Sequence, residues 1–283
     1  MIKQKTIENP AGIQLSLEDF YLKKVDLQSV KNITPALVCD EIKQSILTLA
    51  QIHSNKKLQL PDGYFLPLPY STINERFEND SEAVSNYLDT AGFVIENFKI
   101  SSGQTSLFQW FESLLHQTFQ EKPSLLHFNN RPFAPFGIRF LEAEKNGIDI
   151  HCENAFLHQL APSFRNWLYQ QVDIENSISF FLVLQGPIQG GELVVYSIDW
   201  DSFPLKLDTT NYEERHDVNG SLFKNRNLHH FQTEFFPMQT GEAIVFRAAQ
   251  LWHAIHAIGP GQNRITIGCF LAKGRDGNFY YWA

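Results

Sequence analysis

The sequence predicts an α+β fold in which a mainly helical N-terminal layer, residues 1–134, packs on a jelly-roll sheet system, residues 135–283. Two observations predict it. Between residues 34 and 53 apolar residues fall at Leu37, Val38, Ile42, Ile46, Leu47 and Ile52, a helical spacing, with Pro35 where the first turn tolerates it. After Pro135 the texture changes to short β-rich runs separated by turn signals at Gly147, Gly190-Gly191, Gly241 and Gly259-Pro260-Gly261. Many short strands with regular turns indicate a sandwich or barrel. No internal repeat divides the chain, so residues 1–283 are expected to form a single domain.

Each element follows in order. Residues 1–30 alternate weakly, and 13–17 suggest a short strand. The helix over 34–53 comes next, then a Pro-, Gly- and Tyr-rich loop over 59–75. Ser81 opens a second helix and residues 102–119 form a third. Strands are expected at 136–141, 148–151, 178–184, 192–198, 243–246, 251–258, 265–272 and 279–282, with one interrupting helix over 155–171. Residues 199–238 form a long polar insertion. Loops of that length are functional or mobile as a rule, and together with the N-terminal helices this one is expected to cover a pocket mouth.

Composition narrows the function. Twenty-three Lys and Arg oppose 31 Asp and Glu, a net charge of −8. Phosphate contacts dominate nucleic-acid affinity and need clustered cations, so no nucleic-acid partner is expected. The three cysteines, Cys39, Cys152 and Cys269, are widely spaced and indicate a reducing compartment. The N-terminal segment lacks an apolar core of the secretory type, and no apolar run reaches membrane-spanning length. The expectation is a cytoplasmic globule with no membrane attachment and no obligate protein partner. Its 24 Phe residues suit a partly apolar pocket for a small molecule.

The chemistry is carried by Ile150-His151-Cys152-Glu153 at the end of an expected strand. Alternation puts His151 and Glu153 on one face, where an imidazole and a carboxylate can grip one cation, and turns Cys152 away. His253 is the candidate third ligand. Two histidines and one carboxylate form the facial triad that leaves positions open for oxygen chemistry on iron(II). His256, three residues on, faces the opposite way. Arg264 and Thr266 share one face of an apolar strand, and a guanidinium beside a hydroxyl is a receptor for a carboxylate. A buried arginine there needs an anion. Two other readings of these residues stand beside the oxygenase: a cupin-like hydrolase or isomerase with zinc on the same ligands, and a ligand-binding protein without turnover. The first does not use the Arg264/Thr266 pair, and the second does not need an intact triad.

The order His-x-acid, Gly-Gly-Glu-Leu, His, Arg-x-Thr resembles that of the 2-oxoglutarate/iron(II) oxygenases. The closer likeness is to the hapalindole/welwitindolinone-type aliphatic halogenases of cyanobacteria and their hydroxylating relatives. It is carried by Gly190-Gly191-Glu192-Leu193-Val194-Val195-Tyr196, by the strand from Arg264 to Ala272, by Tyr280-Tyr281-Trp282, by Ile138-Arg139 and by His151-Cys152-Glu153-Asn154-Ala155-Phe156. It covers about residues 135–283, and the N-terminal third is similar only in its helical character. The resemblance implies a double-stranded β-helix, the cupin-like jelly roll. It implies Fe(II) on His151 and His253, 2-oxoglutarate anchored by Arg264 and Thr266, and O2 as oxidant. The products would be succinate, CO2 and an oxidised natural-product-like metabolite. The halogenases carry glycine where this chain has Glu153, which vacates a position for chloride. A carboxylate there implies hydroxylation, desaturation or cyclisation instead.

Further residues carry open readings. Asn154 is either a substrate or cosubstrate contact or the cap of the next helix. Arg139 either holds a substrate carboxylate or makes a structural ion pair. Phe156 is a candidate substrate contact. Glu192 is expected to serve its turn, His229-His230 to be solvated, and Trp252 and Trp282 to be core or pocket wall.

Overall fold

A computed structural model of the chain describes residues 2–7, 14–52, 58–60, 63–66, 81–100, 105–157, 160–201 and 231–283. Its helices are α1 (Leu17–Tyr21), α2 (Ala36–Ile52), α3 (Ser81–Asn97), α4 (Leu107–Thr118) and α5 (Pro162–Gln171). Its strands are β1 (Gln4–Ile7), β2 (Leu27–Val30), β3 (Leu58–Leu60), β4 (Gly63–Leu66), β5 (Ser124–Leu125), β6 (His127–Phe128), β7 (Arg131–Pro132) and β8 (Gly137–Leu141). They continue with β9 (Ile148–His151), β10 (Ile178–Gln185), β11 (Leu193–Asp199), β12 (Thr233–Phe236), β13 (Ala243–Phe246), β14 (Leu251–Ile255), β15 (Arg264–Lys273) and β16 (Phe279–Trp282).

Two sheets build the jelly roll. The larger runs β1-β2-β13-β10-β15-β8-β4-β3, with β16 and β5 branching from β15, and the smaller runs β12-β11-β14-β9. The pairings of β10, β13, β15 and β8 are all antiparallel. Side-chain alternation on the central strands sorts the core into two layers. Ile265, Ile267 and Leu271 of β15 and Phe180 and Leu182 of β10 join Cys39, Ile42 and Ile46 of α2 and Phe111 and Leu115 of α4 in one buried cluster. Val183 joins Leu193, Val195, Ile244, Phe246, Leu251 and Ile255 in another, between the two sheets. Strands buried on both faces read as nearly continuous apolar runs, as β10 does with Ile-Ser-Phe-Phe-Leu-Val-Leu-Gln.

Several expectations are corrected. No strand forms over 14–17; Leu15 makes one isolated bridge to Phe119, and α1 begins at Leu17. Ser16 caps that helix through Asp19 N, and the Glu121 carboxylate accepts from Ser16 Oγ, Leu17 N and Glu18 N, so the local polar groups favour a turn over a ladder. The N-terminal layer also carries strands: β1 pairs parallel with β2, which extends the large sheet through β13. The supposed loop after residue 58 contains the β3–β4 hairpin, joined to the sheet through β8. The third helix starts at Leu107 because Ser106 and Gln109 form a capping box. The helix expected over 155–171 starts at Pro162, which takes the first-turn position, and Glu153–Ala155 is a separate 3-10 turn. The strand expected over 251–258 stops at Ile255. The end of the polar insertion is β12, paired with β11 at the edge of the small sheet. Residues 202–230, and with them His229-His230 and the expected pocket cover, lie outside the described residues.

Candidate metal centre

The centre is built on two neighbouring strands of the small sheet. His151, the last residue of β9, is the direct cross-strand partner of His253 on β14. Cross-strand partners point to the same face, and the two imidazole centroids are 4.2 Å apart. Glu153 reaches the same point by a different route from the one alternation suggests. The strand ends at His151, and Glu153 is the first residue of the 3-10 turn. Its backbone N–H donates to Ala248 O at 3.1 Å, which pins that turn to the corner leading into β14. One ligand atom from each of His151, Glu153 and His253 lies within 4.8 Å of the others.

The tautomers suit a cation. His151 Nδ1 lies 2.7 Å from Asp149 O and His253 Nδ1 lies 2.8 Å from Leu251 O. A carbonyl only accepts, so each Nδ1 carries the proton and each Nε2 keeps its lone pair. Burial lowers the His151 pKa to about 4. Burial and the neighbouring His151 hold His253 well below the ordinary imidazole range. Both rings are therefore neutral at pH 7. Burial raises the Glu153 pKa to about 7, against the opposing pull of Arg139. A desolvated carboxylate with a raised pKa, only partly offset by Arg139, is what a divalent cation would relieve. Phe246 packs edge-on to His253, centroids 4.8 Å apart, and Phe156 lies 5.5 Å from His151.

The second half of the site is on the large sheet, across the interior. Arg264 and Thr266 face inward on β15, and Arg139 on β8 is the cross-strand partner of Thr266. Arg264 is 2% exposed, its Nε has no hydrogen-bond partner among the described residues, and its guanidinium lies 5.6 Å from the Phe181 ring. Burial first, and the charge of Arg139 second, lower its pKa to about 9. A buried guanidinium of this kind favours a nearby anion. The Gly190-Gly191 turn seats it. Gly191 has φ +71°, and a Cβ there would meet Pro187, Ile258 and the Arg264 stem, at 2.6, 2.9 and 3.3 Å. Arg139 acts electrostatically on both halves, on His151, Glu153 and His253 as well as on Arg264.

Other residues fall elsewhere. His256 is outside the cluster and exposed, with Nδ1 at 3.1 Å from Glu192 Oε2. Cys152 is buried with Trp252 and Ile198 on the outer side of the small sheet, and Trp282 lies in the core near α5. Asn154 lies within the 3-10 turn and does not cap a helix, and its amide donates to Glu175 O at 3.0 Å. Sequence reasoning missed Phe246 and Phe181, which wall the two halves, and Gln250, a lone polar residue before β14 that no spacing singles out.

Two neutral imidazoles, a carboxylate and a facing arginine on opposite sheets of a jelly roll define the class: an iron(II)/2-oxoglutarate oxygenase. The family model described as carrier-protein-independent halogenase WelO5 matches residues 109–283, and the chain belongs to that family. Among solved structures the chain is similar to an N-substituted L-amino acid dioxygenase from Burkholderia ambifaria AMMD, with a TM-score of 0.58 and 15% identity over 94% of this chain and 89% of that one. The same enzyme in complex with alpha-KG gives a TM-score of 0.56 at 15% identity, again over 94% and 89%. At that identity the likeness speaks for the fold. No curated protein sequence matches the chain.

Proposed function

We propose that this 2-oxoglutarate-dependent dioxygenase holds iron(II) on His151 Nε2, Glu153 and His253 Nε2 and oxidises an unactivated C–H bond of a small, natural-product-like metabolite. The observation that carries the reading is the meeting of those three side chains, with both Nδ1 atoms already committed to backbone carbonyls. Bound iron with 2-oxoglutarate and O2 supplies the oxidising power, with succinate and CO2 released. The chain does the rest. Arg264 pairs with the remote carboxylate of 2-oxoglutarate, Thr266 donates beside it, and Arg139 offers a second cation to a carboxylate of cosubstrate or substrate. Phe246, Phe181 and Phe156 exclude water and give a partly apolar floor.

Glu153 decides the outcome within a family named for halogenation. An anionic oxygen at that position competes with chloride, so the product is hydroxylated, desaturated or cyclised. The substrate is a free small molecule, in keeping with the carrier-independent name of the family. The whole chain works as one oxygenase domain in the cytoplasm; among the described residues no helix is long and apolar enough to cross a membrane. The test is anaerobic titration with iron(II) and 2-oxoglutarate, read by the visible charge-transfer band, followed by a metabolite screen for succinate release. One iron per chain and a band that needs His151 and His253 are expected. Protein that binds zinc but forms no iron–cosubstrate band would instead favour the hydrolase reading.

A further inference from the structure

We infer that Asn154 and Gln250 form an amide clamp that positions two of the proposed iron ligands, Glu153 and His253; the inference rests on the ligand set proposed above. Asn154 is 3% exposed and Gln250 4%. Both donate to one acceptor, the carbonyl oxygen of Glu175, Asn154 Nδ2 at 3.0 Å and Gln250 Nε2 at 2.8 Å. The amide orientations follow from that acceptor, since either flip would set oxygen against oxygen. Each amide leaves its own oxygen buried without a partner among the described residues. A buried acceptor without a donor is costly, so the arrangement is poorly explained as general stabilisation.

Its geometry explains it better. Asn154 adjoins Glu153, and Gln250 adjoins Leu251, whose carbonyl fixes the His253 tautomer. Backbone bonds tie the same three segments together: Glu153 N to Ala248 O at 3.1 Å, Asn154 N to Ala249 O at 3.4 Å, and Ala249 N to Ser177 O at 3.3 Å. One carbonyl in the Ile174–Asn176 turn thus holds the Glu153 turn and the entry to β14 in fixed relation. Released from it, the Glu153 carboxylate would no longer be held at a set distance from His253. Neither amide belongs to the proposed ligand set; both are positioning residues.

The experiment uses the full chain under anaerobic conditions. Iron(II) affinity, and the charge-transfer spectrum with saturating 2-oxoglutarate, are measured for the wild type and for Asn154→Ala, Gln250→Met, the double variant and Asn176→Ala. Asn176 bonds Asp173 within the same turn and serves as the control for general loosening. Loss of supporting hydrogen bonds around a metal site costs about 10–100-fold in affinity, so each clamp variant should bind iron at least about tenfold more weakly, with a shifted band. The double variant should lose less than the product of the two, because both act through one carbonyl. Asn176→Ala should lower the melting temperature without moving iron affinity. Asn154→Ser and measurement below each variant's melting temperature guard against unfolding. Iron affinity within twofold of wild type in both clamp variants, or an equal loss in Asn176→Ala, overturns the inference. A wild type that binds no iron overturns the ligand proposal instead.

Discussion

At the scale of single residues, the electrostatics of Glu153 give a sign that can be measured. Its pKa stands at about 7 in the metal-free protein, raised by burial, while His151 stands at about 4. Iron needs all three groups deprotonated. The histidines are already neutral across the neutral range, so the only proton that must leave is on Glu153, and only below about pH 7. Apparent iron affinity should therefore rise about tenfold per pH unit up to about pH 7 and level off above it. In Glu153→Gly that dependence should vanish. A wild-type slope continuing above pH 8 would contradict the carboxylate as the controlling group. The same variant tests outcome: it removes a negative charge and opens a position, so chloride should change its iron(II) spectrum, and native turnover should fall. Wild-type protein should yield no chlorinated product by mass spectrometry in concentrated chloride. Arg264→Ala removes a buried charge-assisted pair and should weaken 2-oxoglutarate by about 2–5 kcal/mol, about 30-fold or more. Unchanged affinity would dismiss Arg264 as the receptor. These residues were legible in the sequence because strand alternation and spacing bring His151, His253, Arg264 and Thr266 inward. The route of Glu153 was not legible, because the strand stops two residues before it and the backbone bonds that pin its turn come from residues almost a hundred positions later.

At the scale of elements, the sequence shows best where burial is two-sided or where a cap is local. β9, β13 and β16 fall where alternation and apolar runs put them. α4 begins at Leu107, five residues into the expected helix, because the Ser106/Gln109 capping box, a local signal the 102–119 reading passed over, sets its start. Among the elements that escaped are β1, β2 and the β3–β4 hairpin, each strand of four residues or fewer, and β2 joins the large sheet through β13, more than two hundred residues away. No local pattern carries that information. The Gly190-Gly191 turn is the opposite case, since paired glycines announce a backbone that side chains do not tolerate. Gly191→Ala would combine a strained φ of +71° with a methyl group driven against Pro187 and Ile258. It should cost about 1–3 kcal/mol in denaturant unfolding. Because the same methyl presses on the Arg264 stem, it should also weaken 2-oxoglutarate in the anaerobic titration. Destabilisation with full cosubstrate affinity would show that the turn does not seat the arginine.

At the scale of the whole molecule, the question is whether residues 135–283, which carry every proposed ligand, can stand alone. The arrangement of the core argues that they cannot. The inter-sheet layer holding the site is only one side of the large sheet. On the other side Ile138, Phe180, Leu182, Ile265, Ile267 and Leu271 are buried in the cluster that includes Cys39, Ile42 and Ile46 of α2 and Phe111 and Leu115 of α4. Phe111 alone meets Phe180 edge-on at 6.0 Å and Phe136 at 5.3 Å. Removing the first 134 residues would return those side chains to water. At about 1.5–3 kcal/mol for each large apolar side chain, the loss is on the order of 10 kcal/mol, comparable with the entire stability of an ordinary domain, about 5–15 kcal/mol. The cut would also strip β2 from β13 and leave an unpaired edge beside the interior that holds Phe246 and His253. A fragment of residues 135–283 should therefore be recovered aggregated or dye-binding, without a sharp near-ultraviolet circular dichroism spectrum and without iron affinity. The intact chain should unfold in one transition that iron and 2-oxoglutarate shift upward together. A soluble fragment that binds iron as the full chain does would show that the helical layer is an appendage, and that the site is organised by the two sheets alone.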